Sequence, residues 1–282
     1  MTTNRPADAL RDTALGFRAL HIPGRPLVLP NTWDVASARI VEAAGATAVA
    51  TTSAGVAWDL GTADGDRLGR DRALAAVAAI ADVVDVPVTA DIESGYGADA
   101  AAVAGTVRAV LAAGAVGVNI EDAAYEGDAP LRSVMGQAER IGAARAAADA
   151  AGVPLFVNAR VDTYLRGVGE RADRLALTME RAAAYRAAGA DGIFVPGVVD
   201  PETVKALVAG VGGPLNVMAG PGAPSVAEFA ALGVARISVG AGIAQAAHAV
   251  VREAARELLS RGTYESLAGG LDYGELNALL GG

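Results

Sequence analysis

Carboxylate, amide and guanidinium side chains gather at a few points in this chain, each directly after a short apolar run. They stand as Asp91-Ile92-Glu93-Ser94-Gly95-Tyr96-Gly97, Asn119-Ile120-Glu121-Asp122 and Asn158-Ala159-Arg160-Val161-Asp162. Side chains two apart on an extended chain point the same way, so Asp91 and Glu93 are expected to share a direction, with Glu121 and Asp122 adding oxygens from the neighbouring segment. Hard oxygen donors without Cys or His suit Mg2+, or Mn2+, either of which keeps several waters and accepts substrate oxygens. Acids at such places also cap helices or form ion pairs, but four of them with no nearby Lys repel one another unless a cation lies among them. Arg160 can grip a substrate carboxylate in bidentate fashion and stabilise charge building on an oxygen, or it can pair with Asp162. Thr51-Thr52-Ser53-Ala54-Gly55 offers a hydroxyl and backbone N–H groups to an anionic oxygen, and Asp64 lies on the loop that follows.

The elements that must position these groups are legible as eight short, nearly continuous apolar runs at 27–30, 47–51, 86–91, 117–121, 155–160, 192–196, 215–218 and 236–240. Little alternation of apolar and polar residues is what strands buried on both faces of a parallel sheet require. Between the runs lie longer Ala-rich segments of helical period. Ala-Ala-Gly-Ala or a close variant recurs before strands at 43–46, 112–115 and 187–190, with a relative at 231–236, where Gly can end a helix in the left-handed conformation. The pattern predicts an α/β fold, a (β/α)8 TIM barrel whose chemistry sits at the C-terminal ends of the strands, with a doubly wound open sheet as the alternative. An amphipathic helix over 7–20 precedes the barrel, and helices over 241–259 and 264–280 follow it. No linker or low-complexity tract divides the 282 residues, so one domain is expected.

Composition narrows the function. With 23 Lys and Arg against 32 Asp and Glu, the net charge of -9 disfavours nucleic acid and anionic membranes as partners. The absence of Cys removes disulfides, thiolate ligands and thiol nucleophiles, and fits a reducing, cytoplasmic setting. The first twenty residues carry charge where a signal peptide would be apolar, and no later stretch is long and apolar enough to span a membrane. His21 and His248, in a joint and an Ala-rich helix, and Trp33 and Trp58, at strand ends, are expected to serve packing.

Taken together, Thr-Thr-Ser-Ala-Gly, Asp-x-Glu-x-Gly-Tyr-Gly, Asn-Ile-Glu-Asp and Asn-Ala-Arg-Val-Asp resemble the isocitrate lyase and phosphoenolpyruvate mutase superfamily in order and spacing, from Leu27 to about Gly242. The resemblance implies a barrel, Mg2+, α-carboxylate substrates, and a homo-oligomer, tetramer or dimer, in which the helices of 241–282 are exchanged between subunits. By position it makes Asp91, Glu93 and Glu121 the metal-site acids, Asp64 a further acid near the ion, and Ser53, Ala54, Gly55, Arg160 and Asn216 the substrate contacts. Two departures matter. The lyases carry a Cys-bearing loop after the fourth strand, whereas 123–132 here reads Ala-Ala-Tyr-Glu-Gly-Asp-Ala-Pro-Leu-Arg, and the mutases have a His after the sixth strand, whereas Pro196-Gly197 stands here. Tyr125, Glu126 and Arg132 are the polar groups left on this presumed gate.

Arg160, Glu121, Asp64 and Tyr125 therefore form the candidate catalytic set. The leading expectation is a Mg2+-dependent lyase, by decarboxylation or retro-aldol cleavage, acting on a small α-oxo or α-hydroxy di- or tricarboxylic acid through a pyruvate-like enolate. The alternatives are a mutase-type C–P enzyme on the same scaffold and a phosphate-ligand-binding barrel built on the Gly-rich turns at 219–225 and 239–242.

Overall fold

Strands with no polar face must be covered on both sides, and the chain meets this demand with a closed ring of parallel strands inside a ring of helices. A computed structural model describes residues 7–125 and 127–281. The strands are β1 (Leu27–Leu29), β2 (Asn31–Thr32), β3 (Val49–Thr51), β4 (Val88–Asp91), β5 (Gly117–Glu121), β6 (Phe156–Arg160), β7 (Gly192–Val195), β8 (Leu215–Met218) and β9 (Arg236–Ser238). They pair in the order β1-β9-β8-β7-β6-β5-β4-β3-β2. The first expected run, 27–30, stops at Pro30, which lacks an N–H to give to a ladder, and β2 follows just beyond it. β1 pairs with β9 and β2 with β3, so this single stretch of chain closes the ring and the segments form the expected eight staves.

The helices are α1 (Ala7–Ala19), α2 (Val35–Ala43), α3 (Ser53–Asp59), α4 (Arg70–Val83), α5 (Ala100–Ala112), α6 (Val134–Ala150), α7 (Arg174–Ala187), α8 (Pro201–Gly210), α9 (Val226–Ala231), α10 (Gly242–Arg261) and α11 (Tyr273–Leu280). The recurring Gly joint has one physical basis. Gly114 takes φ 88°, its N–H reaches Leu111 O at 3.0 Å and the next N–H, of Ala115, reaches Val110 O at 3.2 Å. These two bonds satisfy the last helical carbonyls and aim the chain into β5. The same pair of bonds recurs at Gly189 and Gly233.

The tail differs from expectation. The helix expected over 264–280 is broken into a 3-10 turn (Glu265–Leu267) and α11, with Gly269-Gly270 between them and Asp272 accepting from Gly274 and Glu275 N–H as a new cap. α11 lies on α2, where Arg39 Nε donates to Leu279 O at 2.9 Å, while α10 leaves Val250, Val251, Leu258 and Leu259 exposed. No helix among the described residues is long and apolar enough to cross a membrane.

Below the mouth, the barrel interior is polar where barrels are usually filled by branched apolar side chains. Asn158 Nδ2 donates to Asn119 Oδ1 at 2.8 Å and to Asn216 Oδ1 at 3.0 Å, and the buried Arg236 donates to Asn119 Oδ1 at 3.2 Å. His21 closes the floor. Its ring stacks on Phe156 at 3.8 Å, meets the edge of Phe17 at 4.8 Å, and presents Nε2 to Arg236 Nη1 at 3.5 Å, while Nδ1 lies 3.0 Å from Phe17 O. Burial, followed by the Arg236 charge, pushes the His21 pKa down to about 3, so the ring is neutral and its Nε2 accepts from Arg236. Both histidines thus fall to packing roles, His248 lying edge-on to Trp58 at 6.1 Å.

Two stability predictions follow from this floor. Because the folded pKa of His21 lies below the ordinary 6.5, the unfolded chain takes up the proton first as pH falls, and the stability this ring contributes is full above pH 6.5 and lost towards pH 3. His21→Gln should flatten the stability profile between those limits by on the order of 1 kcal/mol per pH unit, read as the wild-type-minus-variant difference in urea melts. A Cβ at Gly117 would lie 2.6 Å from Phe17 Cε1 and 2.7 Å from Thr89 Oγ1, so Gly117→Ala should cost about 1–3 kcal/mol in the same assay.

Candidate active site

The strand ends bring Ser53, Asp64 and Asp91 together. Thr52 starts α3 without a side-chain cap, leaving the first N–H groups of the helix free for an outside acceptor. Asp91 Oδ2 supplies one, accepting from Ser53 N at 3.3 Å and Ser53 Oγ at 2.9 Å, while Asp91 N donates to Thr51 Oγ1 at 2.9 Å. Gly55 is required by packing, because a Cβ there would fall 2.7 Å from Thr52 Cγ2 and 2.8 Å from Trp33 Cβ. Ala54 is half-buried between them. Desolvation and then the Asp91 charge raise the pKa of Asp64, whereas Gly65 N–H and Ser53 pull it down, which sets Asp64 beside the same turn.

Glu93 does not share the direction of Asp91 as an extended chain would require. Its φ is 50°, beyond the end of β4, and this left-handed turn sends the carboxylate to the neighbouring loop. There Oε2 accepts from Gly65 N at 3.0 Å and from Asp66 N, and Oε1 accepts from Tyr96 OH at 3.0 Å. Burial pushes the Glu93 pKa up to about 7, with Asp91, Asp64 and Asp66 adding to the rise. Glu93 thus ties down the loop that carries Asp64.

Glu121 and Arg160 are paired rather than separately available. Arg160 Nη1 lies 2.7 Å from Glu121 Oε2, and its Nε and Nη2 grip Asp162 at 2.6 and 2.9 Å, so both readings of this Arg, site residue and structural partner of Asp162, meet in one side chain. Tyr125 OH donates to the other oxygen of Glu121. Arg166, which the sequence did not single out, lies 5.1 Å over the Tyr125 ring and 3.5 Å from Asp162. The contacts form a closed circuit through Glu121, Arg160, Asp162, Arg166 and Tyr125. Burial keeps the Glu121 pKa above the ordinary range and holds Tyr125 as a neutral hydroxyl, an effect the Glu121 charge strengthens.

The flap that carries Tyr125 is braced from beneath. Ala123 bridges Leu131, Ala124 N donates to Pro130 O at 3.1 Å, and Arg132 N donates to Asp122 O at 2.8 Å. Asp122 is fully buried and accepts from Asp162 N at 2.9 Å, Arg181 Nη1 at 3.0 Å and Tyr185 OH at 2.9 Å. It is therefore a structural acid with its own cation and not a free oxygen donor. Glu126 lies outside the described residues.

Several of the expected site residues are engaged by other partners. Among the described residues no three acidic side chains converge closely enough to ligate an ion directly, since Glu93 is turned to backbone N–H groups and Glu121 to Arg160 and Tyr125. Asn216 is spent inside the barrel: its Nδ2 donates to Val217 O at 2.7 Å and its Oδ1 accepts from Asn158, so a substrate contact would require it to give up these partners. The Gly-rich turn at 219–225 offers no vacant helix start either, because Ser225 and Glu228 close a capping box at α9 and put a carboxylate where a phosphate would sit.

Asp91, Asp64 and Ser53 thus meet at the end of β4, Glu121 and Arg160 at the ends of the next two strands, and a flap brings Tyr125 to Glu121. The family profile described as phosphoenolpyruvate phosphomutase matches residues 17–259. An uncharacterized protein of Mycobacterium tuberculosis is 38% identical over 94% of this chain and 96% of its own. The 2-methylisocitrate lyase of Escherichia coli is 32% identical over 68% of this chain and 64% of its own. Among solved structures, phosphonopyruvate hydrolase in complex with oxalate and Mg2+ superposes with a TM-score of 0.82 at 28% identity over 95% of both chains. The chain belongs to the isocitrate lyase/phosphoenolpyruvate mutase superfamily, whose members are lyases and mutases acting on C–C and C–P bonds.

The brace beneath the flap gives a direct test. Arg181→Met leaves the Asp122 carboxylate buried without its cation and should cost about 3–5 kcal/mol in chemical denaturation. Arg252→Ala, which removes an exposed pair with Glu253, should change stability by less than about 1 kcal/mol.

Proposed function

We propose that this protein is a Mg2+-dependent carbon–carbon lyase that cleaves a small α-oxo or α-hydroxy di- or tricarboxylic acid through a pyruvate-like enolate. The observation that carries the reading is the Tyr125–Glu121–Arg160 contact at the mouth, on the strand ends next to Asp91 and Ser53. The donor set suits an ion held by Asp91 and reached by the other acids through water, the arrangement Mg2+ favours. The charge of Asp91 raises the pKa of Asp64, Glu93 and Glu121 alike, so the mouth is short of positive charge. Bound there, Mg2+ would act as a Lewis acid towards the substrate's oxygens.

The chain's own groups divide the remaining work. Ser53, with the N–H groups of Ala54 and Gly55, receives the α-carboxylate or the oxygen on which charge develops, and Arg160 takes the other end of the anion in exchange for Glu121. Tyr125 supplies the proton in place of the absent thiol: its hydroxyl is held neutral at the mouth, and Glu121 behind it can restore the proton because burial favours its protonated form. The flap and Arg166 keep water from the enolate while the proton is delivered. The exposed apolar residues of α10 support assembly into a homo-oligomer, a dimer or tetramer, in a cytoplasmic setting.

The test adds Mg2+ and a panel of C4 to C6 oxo- and hydroxy-diacids and follows release of pyruvate or CO2, with phosphorus NMR of phosphonopyruvate as the control for C–P chemistry. Turnover on a diacid supports the lyase. No turnover on any diacid while calorimetry shows bound Mg2+ discards it, and conversion of phosphonopyruvate alone replaces it with a C–P enzyme. On the active substrate, Tyr125→Phe should lower kcat about 100-fold with KM little changed.

A further inference from the structure

Two clefts open at the foot of the flap, away from Asp91 and Arg160. One, of about 350 Å3, is bordered by Asp66, Arg70, Tyr96 and Tyr125; the other, of about 400 Å3, lies over the first turns of α5 and α6 beside Asp99, Ser133 and Gly136. Ala98 and Arg132 line both, and Arg140, only 3% exposed, lines the second. The two guanidinium groups meet on one residue, Arg132 Nη2 donating to Ser94 Oγ at 3.3 Å and Arg140 Nη2 to Ser94 O at 2.6 Å. Among the described residues, Arg132 Nε and Arg140 Nε and Nη1 are buried without an acceptor. The carboxylates felt at Arg140 are already committed, Asp99 to Ala102 N at 2.8 Å and Asp66 to Ser94 N and Oγ, and the exposed Glu139 lies at the rim of the second cleft.

A buried guanidinium beside a half-buried one, with N–H groups unanswered, favours an anion over them. The first turns of α5 and α6 border the same cleft, their leading N–H groups capped by Asp99 and Ser133. Burial and the neighbouring Arg132 push the Arg140 pKa down to about 10, against the opposing pull of Asp66 and Asp99. We propose that the cleft over Arg132 and Arg140 is a binding site for a phosphate-like oxyanion, distinct from the substrate site. Arg132 ends the flap, its carbonyl is held by Arg181 Nη1 at 3.0 Å and its N–H by Asp122 O, so an anion on its side chain acts at the hinge of the segment that carries Tyr125.

Inorganic phosphate is the probe, compared with chloride at equal ionic strength on the full chain. At a hundredfold excess over Kd, phosphate should raise Tm by about 5 °C and slow hydrogen exchange across 123–132. Arg132→Gln should lose that gain, and Ala98→Asp, which places a carboxylate in the cleft from an exposed position, should lose it as well. The gain should persist when oxalate with Mg2+ saturates the mouth. A wild-type Tm no higher in phosphate than in chloride overturns the proposal. So does an equal gain in both variants, or its disappearance with oxalate, either of which would put the anion elsewhere.

Discussion

The mouth of this barrel holds more buried carboxylate than buried cation, and the surrounding structure is arranged around that imbalance. Desolvation penalises each charged oxygen, and repulsion between neighbours adds to the penalty. Each acid is accommodated differently. Asp122 takes Arg181 and Tyr185, Glu93 takes backbone N–H groups, Glu121 shares Arg160 with Asp162, and Asp91 leans on Ser53. What these partners leave uncompensated is centred on Asp91, whose charge is felt at Asp64, Glu93, Glu121 and, from below, Arg236.

This distribution separates groups that hold the site from groups that can act in it. Asp122 and Asp162 are fully buried and multiply bonded, and exchanging their partners would strand a charge in the interior. Glu121, Arg160 and Tyr125 hold one another, so an arriving carboxylate can displace one member and be met by the rest. The polar layer beneath, with Asn119, Asn158, Asn216 and Arg236, sets the rigid platform on which those exchanges take place. Its closed hydrogen bonding explains why Asn216 serves the barrel before any ligand.

The flap joins the two halves of this arrangement. Tyr125 reaches Glu121 from a segment drawn together by the bridge between Ala123 and Leu131, with its base fixed by Asp122 and Arg181. Its ring packs against Gly65, where a Cβ would come within 3.0 Å of Cε1, and lies under Arg166. The superfamily's activities differ between relatives that share one barrel, as the names 2-methylisocitrate lyase and phosphonopyruvate hydrolase attest, and loops of this kind carry such differences because the scaffold leaves them free to vary.

The sequence alone determined the barrel, because apolar runs without alternation and a repeated Gly joint admit few other packings, and it singled out the strand-end acids, of which Asp122 and Glu93 turn out to brace the structure. It did not reveal β2 beyond Pro30, since that strand is two residues long and only the pairing of β1 with β9 and of β2 with β3 shows that they close one ring. Nor did it show the direction of Glu93 or the amide partners that hold Asn216. Side-chain direction beyond a strand end depends on a backbone angle that residue type does not fix, here a left-handed Glu, and the partners of a buried amide come from strands far apart in the chain. Arg166 and the Arg132–Arg140 pair were hidden for the same reason: a guanidinium in a loop or helix carries no local signal, and only the folded chain decides whether it meets a carboxylate, an aromatic ring or another cation.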